Sequence, residues 1–361
     1  MKVICNSVAI IITLSFCSIL IFANNVNGFP TEKRWDLKMM EDEHIWKYLL
    51  VGMGRAEKQA SWPERKTALE KVITEFPNSR WSDDAALILA IGIYEFEGKT
   101  GLDELKSTLE ARDQGYFGDA EKAIGELNTI VEKYPNEKTI LSPWLVPGCG
   151  PQLDNHWMMA RASLPFDKHG KFSQQDREYL VYFDHLEKFP VYTKDVAKLY
   201  IAGLLTFQKD DMPSSIEVLE EILSDTVEFK LAVIADKSRA LEEYAHLIRI
   251  GIERPQYIAY RGLITLYRAQ GRKEEMVSLT QSFAEIVNQG INVPIIEEVG
   301  KVYDELGLTN KAKQQYQSAL DTLEIVIDLD KQRKVRLGHA VMTDSDLLKK
   351  KAELELLINK D

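Results

Sequence analysis

The chain has 361 residues, with 45 Lys and Arg against 56 Asp and Glu, a formal net charge of −11, 45% hydrophobic and 28% charged residues, 20 Gly, 12 Pro and 3 Cys. This composition excludes collagen-like, low-complexity and disulfide-dense scaffolds and leaves ample apolar side chain for a core. It argues against nucleic acid as a partner, because a phosphate-binding surface needs an excess of Lys and Arg to displace counterions.

The first element in chain order is a targeting segment. Lys2 precedes an apolar run from Val8 to Ala23, broken only by Thr13, Ser15, Cys17 and Ser18, and a polar stretch from Asn24 to Gly28 follows. A run of about 16 apolar residues is short for a spanning helix. Ala23 and Gly28, each two positions after an aliphatic residue, suit signal peptidase. The expectation is a cleaved signal peptide over 1–28, a periplasmic or other extracytoplasmic location, and no spanning membrane segment afterwards. Phe16 stands where a lipobox needs a small residue, so Cys17 is not expected to carry lipid. Cleavage would also remove Cys5, leaving Cys149 alone and no intramolecular disulfide.

Past residue 29 apolar residues recur at three and four, as in Ala85, Leu89, Ile93 and Phe96, or Ile216, Leu219, Ile222 and Leu223. That period predicts helices nearly throughout, with Pro and Gly between them. Three predicted helix ends share one pattern: Leu69, Ile73, Phe76-Pro77; then Leu127, Val131, Tyr134-Pro135; then Tyr182, Leu186, Phe189-Pro190. The steps between these prolines exceed the roughly 34 residues of a bare helical-hairpin repeat, so each carries an insertion. Lys99 to Gly115 is the first, and Thr139 to Gln175, dense in Pro, Gly, Trp and Met, is the second.

From Glu297 to Leu320 the chain reads Val299-Gly300, Tyr303, Gly307, Ala312, Tyr316 and Ala319, and the preceding unit places Tyr260, Leu263-Ile264, Tyr267 and Gly271 at matching offsets. These residues resemble the tetratricopeptide repeat. The resemblance implies that Gly300 and Ala312 let two helices approach, Gly307 makes the turn, and Tyr303 and Tyr316 fill the gaps. Met276 and Thr280 depart from it, standing where a small residue and an aromatic are usual. Phe76-Pro77-Asn78-Ser79 followed by Ala85 to Tyr94 also resembles repeats of bacterial envelope proteins of the β-barrel-assembly lipoprotein and Tol-Pal coordinator type. The expected fold class is all-α, a right-handed solenoid of tetratricopeptide-like hairpins with an irregular central insertion. Its expected parts are N-terminal repeats over 29–138, a connector over 139–176, C-terminal repeats over 177–330 and a capping region over 331–361, with a charged helix from Ser345 to Asn359.

No spacing typical of catalysis is present: no GxSxG, no GxxxxGK[ST], no HExxH and no CxxC. The six histidines are scattered, and paired carboxylates such as Glu220-Glu221 and Glu242-Glu243 suit solvated helix faces. Lys331, Arg333, Lys334 and Arg336 read as an ordinary helix junction. No catalytic, cofactor or metal residue is assigned, and the chain reads as a non-enzyme. The tetratricopeptide pattern implies a concave groove displaying Arg261, Thr265 and Arg268 from one unit and Glu297, Lys301 and Asp304 from the next. Its mixed charge suits a helix or extended segment of a folded partner. Trp144, Trp157 and Met158 are the candidate docking residues of the connector. The leading expectation is therefore an exported scaffold for envelope proteins. Two other readings stay open: an accessory subunit of one large exported complex, respiratory or redox, and a metal-binding or hydrolytic protein using the loop from Cys149 to Met159, where thiolate, imidazole and thioether donors cluster.

Overall fold

A computed structural model describes residues 45, 48, 52, 61–79, 81–96, 119–139, 191–224, 229, 230, 233, 254–336 and 345–359. The expected signal peptide, the connector beyond Thr139, the insertion after Lys99 and the third helix end at Pro190 lie outside the described residues. Among the described residues the chain forms ten helices and one pair of two-residue strands, so the all-α expectation is borne out. Those before Glu220 belong to one compact unit and those from Glu220 onward to a second.

The first unit contains α1 (Trp62–Glu75), α2 (Ser82–Phe96), α3 (Ala120–Lys133), β1 (Lys138–Thr139), β2 (Val191–Tyr192), α4 (Thr193–Phe207) and α5 (Met212–Ser224) as far as Leu219. Helix α1 starts where Ser61 donates its N–H to the Glu64 carboxylate at 2.8 Å, and α3 starts where Asp119 accepts from the Lys122 N–H at 3.0 Å. Each interaction satisfies a donor that the helix terminus would otherwise leave open. Helices α1 and α3 also end alike. Phe76 (φ −128°, ψ 51°) and Tyr134 (φ −123°, ψ 52°) each donate a backbone N–H four residues back, to Val72 and Ile130. The next residue is proline in both, which cannot extend the helix. The shared aromatic-proline ending is thus one cap geometry used twice.

Helix α2 is the centre of this unit and packs on α1, α3 and α4. The spacing of Ala85, Leu89, Ile93 and Phe96 predicts a helix, and the helix is present. It buries Ala85, Leu87, Ile88, Ala90, Ile91, Ile93 and Tyr94 all round, with Leu89 only partly covered. A helix apolar on every side is one that neighbours enclose. Gly92 marks the crossing with α1, where an added Cβ would stand 2.0 Å from Cη2 of Trp62.

The second unit contains α6 (Pro255–Gln270), α7 (Lys273–Val287), α8 (Val293–Glu305), α9 (Thr309–Arg336) and α10 (Ser345–Ile358), each packed on the next. The expected terminal helix is present as α10, and α9 continues through the basic cluster to Arg336. Gly271 (φ 70°) and Gly307 (φ 73°) occupy the left-handed region that the turns require. Arg272 and Leu308 each donate an N–H at 2.9 Å, to the carbonyls of Tyr267 and Tyr303. This six-to-one closure satisfies a helix-end carbonyl and turns the chain back on itself.

Tyr303, Ala312, Tyr316 and Ala319 are buried, as the repeat pattern implies. A Cβ on Gly300 would lie 2.6 Å from Cε1 of Tyr316, so the missing side chain is what admits the ring. In the preceding hairpin Met276 and Thr280 are buried as well. There the ring comes from the first helix: Tyr260 stacks on Phe283 with centroids 4.1 Å apart, and its hydroxyl lies 3.4 Å from Thr280 Oγ1. The departure at Thr280 is therefore an exchange of volume between facing helices. Gly300→Ala is expected to cost about 2 kcal/mol, because Tyr316 is fully enclosed and has no room to yield. A thermal melt measures it, and an unchanged midpoint would show that the ring moves aside freely.

Candidate functional site

The expected groove residues lie on α6 and α8, the first helices of the two hairpins. Arg261 binds the Glu298 carboxylate at 2.7 Å, and Arg268 forms a bidentate pair with Glu305, a partner 37 residues away. Tyr257 donates its hydroxyl to Glu298 as well. Burial, and then the Glu298 charge, hold that hydroxyl well above the ordinary tyrosine range, so it remains the donor. Together these contacts cross-link α6 to α8. Glu298 and Glu305 were not among the expected residues; the sequence signal for them is an acid about one repeat beyond each arginine.

The other expected residues face different surroundings. Thr265 is half-buried and donates back to the Arg261 carbonyl at 2.9 Å. Asp304 accepts from the Tyr316 hydroxyl at 3.2 Å. Lys301 is exposed, while Glu297 is only 4% exposed and takes two ammonium groups, Lys301 at 2.7 Å and Lys350 of α10 at 2.6 Å. Burial pushes the Glu297 carboxyl up, but the two cations more than offset this and leave its pKa below the usual glutamate value. The structure thus sets Arg261 and Arg268 against carboxylates of α8 and turns Glu297 toward α10. Trp144, Trp157 and Met158 lie outside the described residues.

A second polar cluster, absent from the sequence reading, occupies the first unit. Ser82, Asp83 and Asp84 open α2 and are almost fully buried. Thr193 donates its hydroxyl to Asp83, Thr139 donates its hydroxyl to Asp84, and the Ser82 and Tyr134 hydroxyls lie 3.3 Å apart. The two threonines belong to or follow the paired strands, in which Thr139 stands opposite Val191. The Thr193 N–H also donates to the Glu137 carbonyl at 3.0 Å. Desolvation pushes the Asp83 carboxyl up to about 6, against the hydrogen bond from Thr193, and the nearby Glu137 charge adds to the rise. Acids at a helix N-terminus are favoured by the macrodipole, and that is the one sequence signal for this cluster.

Among the described residues no three His, Cys, Asp or Glu side chains gather as a metal site, and no helix is long and apolar enough to cross a membrane. No protein-family model, no curated protein and no solved structure matches this chain.

Proposed function

We propose that the chain is an exported, non-enzymatic scaffold of tetratricopeptide-like hairpins, which holds a protein of the envelope or of an exported complex on the face shared by α6 and α8. The observation that carries this reading is the pair of crosswise contacts Arg261 to Glu298 and Arg268 to Glu305. They hold the first helices of successive hairpins side by side, which is how stacked hairpins build an extended binding face. That face offers rows of opposite charge a few ångströms apart. Such a surface favours a helix or extended segment carrying both signs, and it fixes register and orientation more than raw affinity.

The test exchanges one row without breaking it. Arg268→Glu combined with Glu305→Arg retains an ion pair but reverses the field that a partner meets. Cross-linked affinity purification of the tagged protein from its native envelope should recover one stoichiometric partner set. The exchanged variant, with an unchanged melting midpoint, should recover roughly tenfold less of it, the equivalent of about 1.4 kcal/mol. Equal recovery by both proteins, or no partner with either, would overturn the reading.

A further inference from the structure

We infer that α10 is a docking helix for a second copy of this chain, paired antiparallel about Ala352. The inference stands on α10 alone and is independent of the face formed by α6 and α8. Three large hydrophobic residues are exposed among the described ones, and two belong to α10: Leu356 at 73% and Leu348 at 50%. With the exposed Ala352 between them they are spaced by four, which lines them along one side of the helix. The opposite side is fixed. Leu347 and Leu354 are buried, Lys350 reaches Glu297 and Lys351 reaches Glu324, each at 2.6 Å. The apolar stripe is therefore held outward by the fold and is not exposed by fraying.

The charge order names the occupant. Along α10 the chain reads Leu348-Lys349-Lys350-Lys351-Ala352-Glu353-Leu354-Glu355-Leu356, basic before the alanine and acidic after it. Within one helix, lysine placed before glutamate is the weaker order for ion pairing, so helix stability does not account for this polarity. Across an antiparallel pair of identical helices it is complementary. Leu348 of one copy meets Leu356 of the other, Lys349 meets Glu353 on the flank, and the small Ala352 lets the helices approach at the axis. A parallel pairing would set lysine against lysine. Such a contact is isologous, every interaction being made twice, and it closes at two copies. Lys349 makes no ion pair among the described residues, and Glu353 makes only an exposed one with Lys350 at 3.2 Å. Both are available to a partner at little cost.

One helix pair buries less than the ~1,600 Å² of a standard interface, so the dimer is weak, with a dissociation constant on the order of 0.1 mM. Sedimentation equilibrium of the purified protein from roughly 10 µM to roughly 1 mM reads it directly. The expected result is a monomer–dimer equilibrium that Lys349→Glu alone and Glu353→Lys alone each weaken by about tenfold or more. Mixing those two variants should restore association, because each copy then opposes the reversed charge of the other. Leu356→Glu should abolish association in every combination. A monomer at all concentrations would overturn the proposal, as it would if another segment of the same chain covered the stripe. Association indifferent to both charge reversals, or not restored by mixing, would place the contact elsewhere and overturn it equally.

Discussion

Replacing Glu297 with alanine is expected to destabilise the unit that begins at Glu220 by about 3 kcal/mol and to release α10 from it. The carboxylate is enclosed between α8 and α10, and both of its oxygens are occupied, one by Lys301 and one by Lys350. Removing it strands the half-buried Lys350 without its main counter-charge, which costs more than the pair itself is worth. The two cations are unequal. The Lys301 side chain is 59% exposed, so Lys301→Met should cost under about 1 kcal/mol, whereas Lys350→Met should cost about 2 kcal/mol. Glu297→Gln keeps the volume and removes the charge, so it should fall between alanine and the native protein. The sign with pH follows from the lowered pKa: the stabilisation is present above the unfolded value of 4.5 and is lost as the pH falls through the lower folded value. Chemical denaturation gives the totals, and amide exchange along α10 shows whether that helix opens first. Unchanged exchange in Glu297→Ala would mean that Leu347 and Leu354 hold α10 without the ion pair.

The parts of this fold that were legible in the sequence are the ones set by local rules. Gly271 and Gly307 mark turns because a left-handed residue is needed wherever one helix folds back on the next, and no distant contact changes that. Phe76-Pro77 and Tyr134-Pro135 marked helix ends for the same reason. What escaped depends on who faces whom. Thr280 looked like a departure because volume is conserved across the facing helices and not at a single position, so Tyr260 could supply the ring. The pattern gave no sign of Lys350 beside Glu297, because a repeat describes its own two helices and is silent about a further helix that packs against them. The arginines were legible as exposed charge, but their partners were not, since Glu298 and Glu305 become neighbours only after the hairpins stack. Asp83 was the least legible residue of all. Its partner Thr193 is 110 residues away, and nothing periodic joins them.

That same aspartate carries the second large expectation, which runs opposite to the first: the unit before Glu220 should gain stability as the solution is acidified from about pH 7.5 toward pH 4. Asp83 is 3% exposed, and its carboxyl is pushed from the ordinary 3.8 up to about 6 in the folded protein. The folded state therefore holds its proton more tightly than the unfolded chain does. A group raised in this way contributes stability that is fully present below the unfolded pKa and is lost as the pH rises through the folded one. The full span is on the order of 3 kcal/mol for a shift of this size. Burial is the main cause and the nearby Glu137 charge adds to it, while hydrogen bonds from Thr193 and from the Asp84 backbone N–H pull the other way without cancelling the rise. Asp83→Asn imitates the protonated state at every pH. It should raise stability at pH 7.5, change little near pH 4, and flatten the profile between about 4 and 6. The asparagine amide still offers an oxygen to the Thr193 hydroxyl, so the hydrogen bond across the cluster survives the change. Thr193→Val removes that hydrogen bond from the charged form and should move the folded pKa of Asp83 higher still, extending the window in which acid stabilises. Unfolding midpoints at half-unit pH steps for the native protein and both variants decide the matter. Parallel profiles for the native protein and Asp83→Asn would show that this carboxylate is solvated well enough to titrate as it does in the unfolded chain.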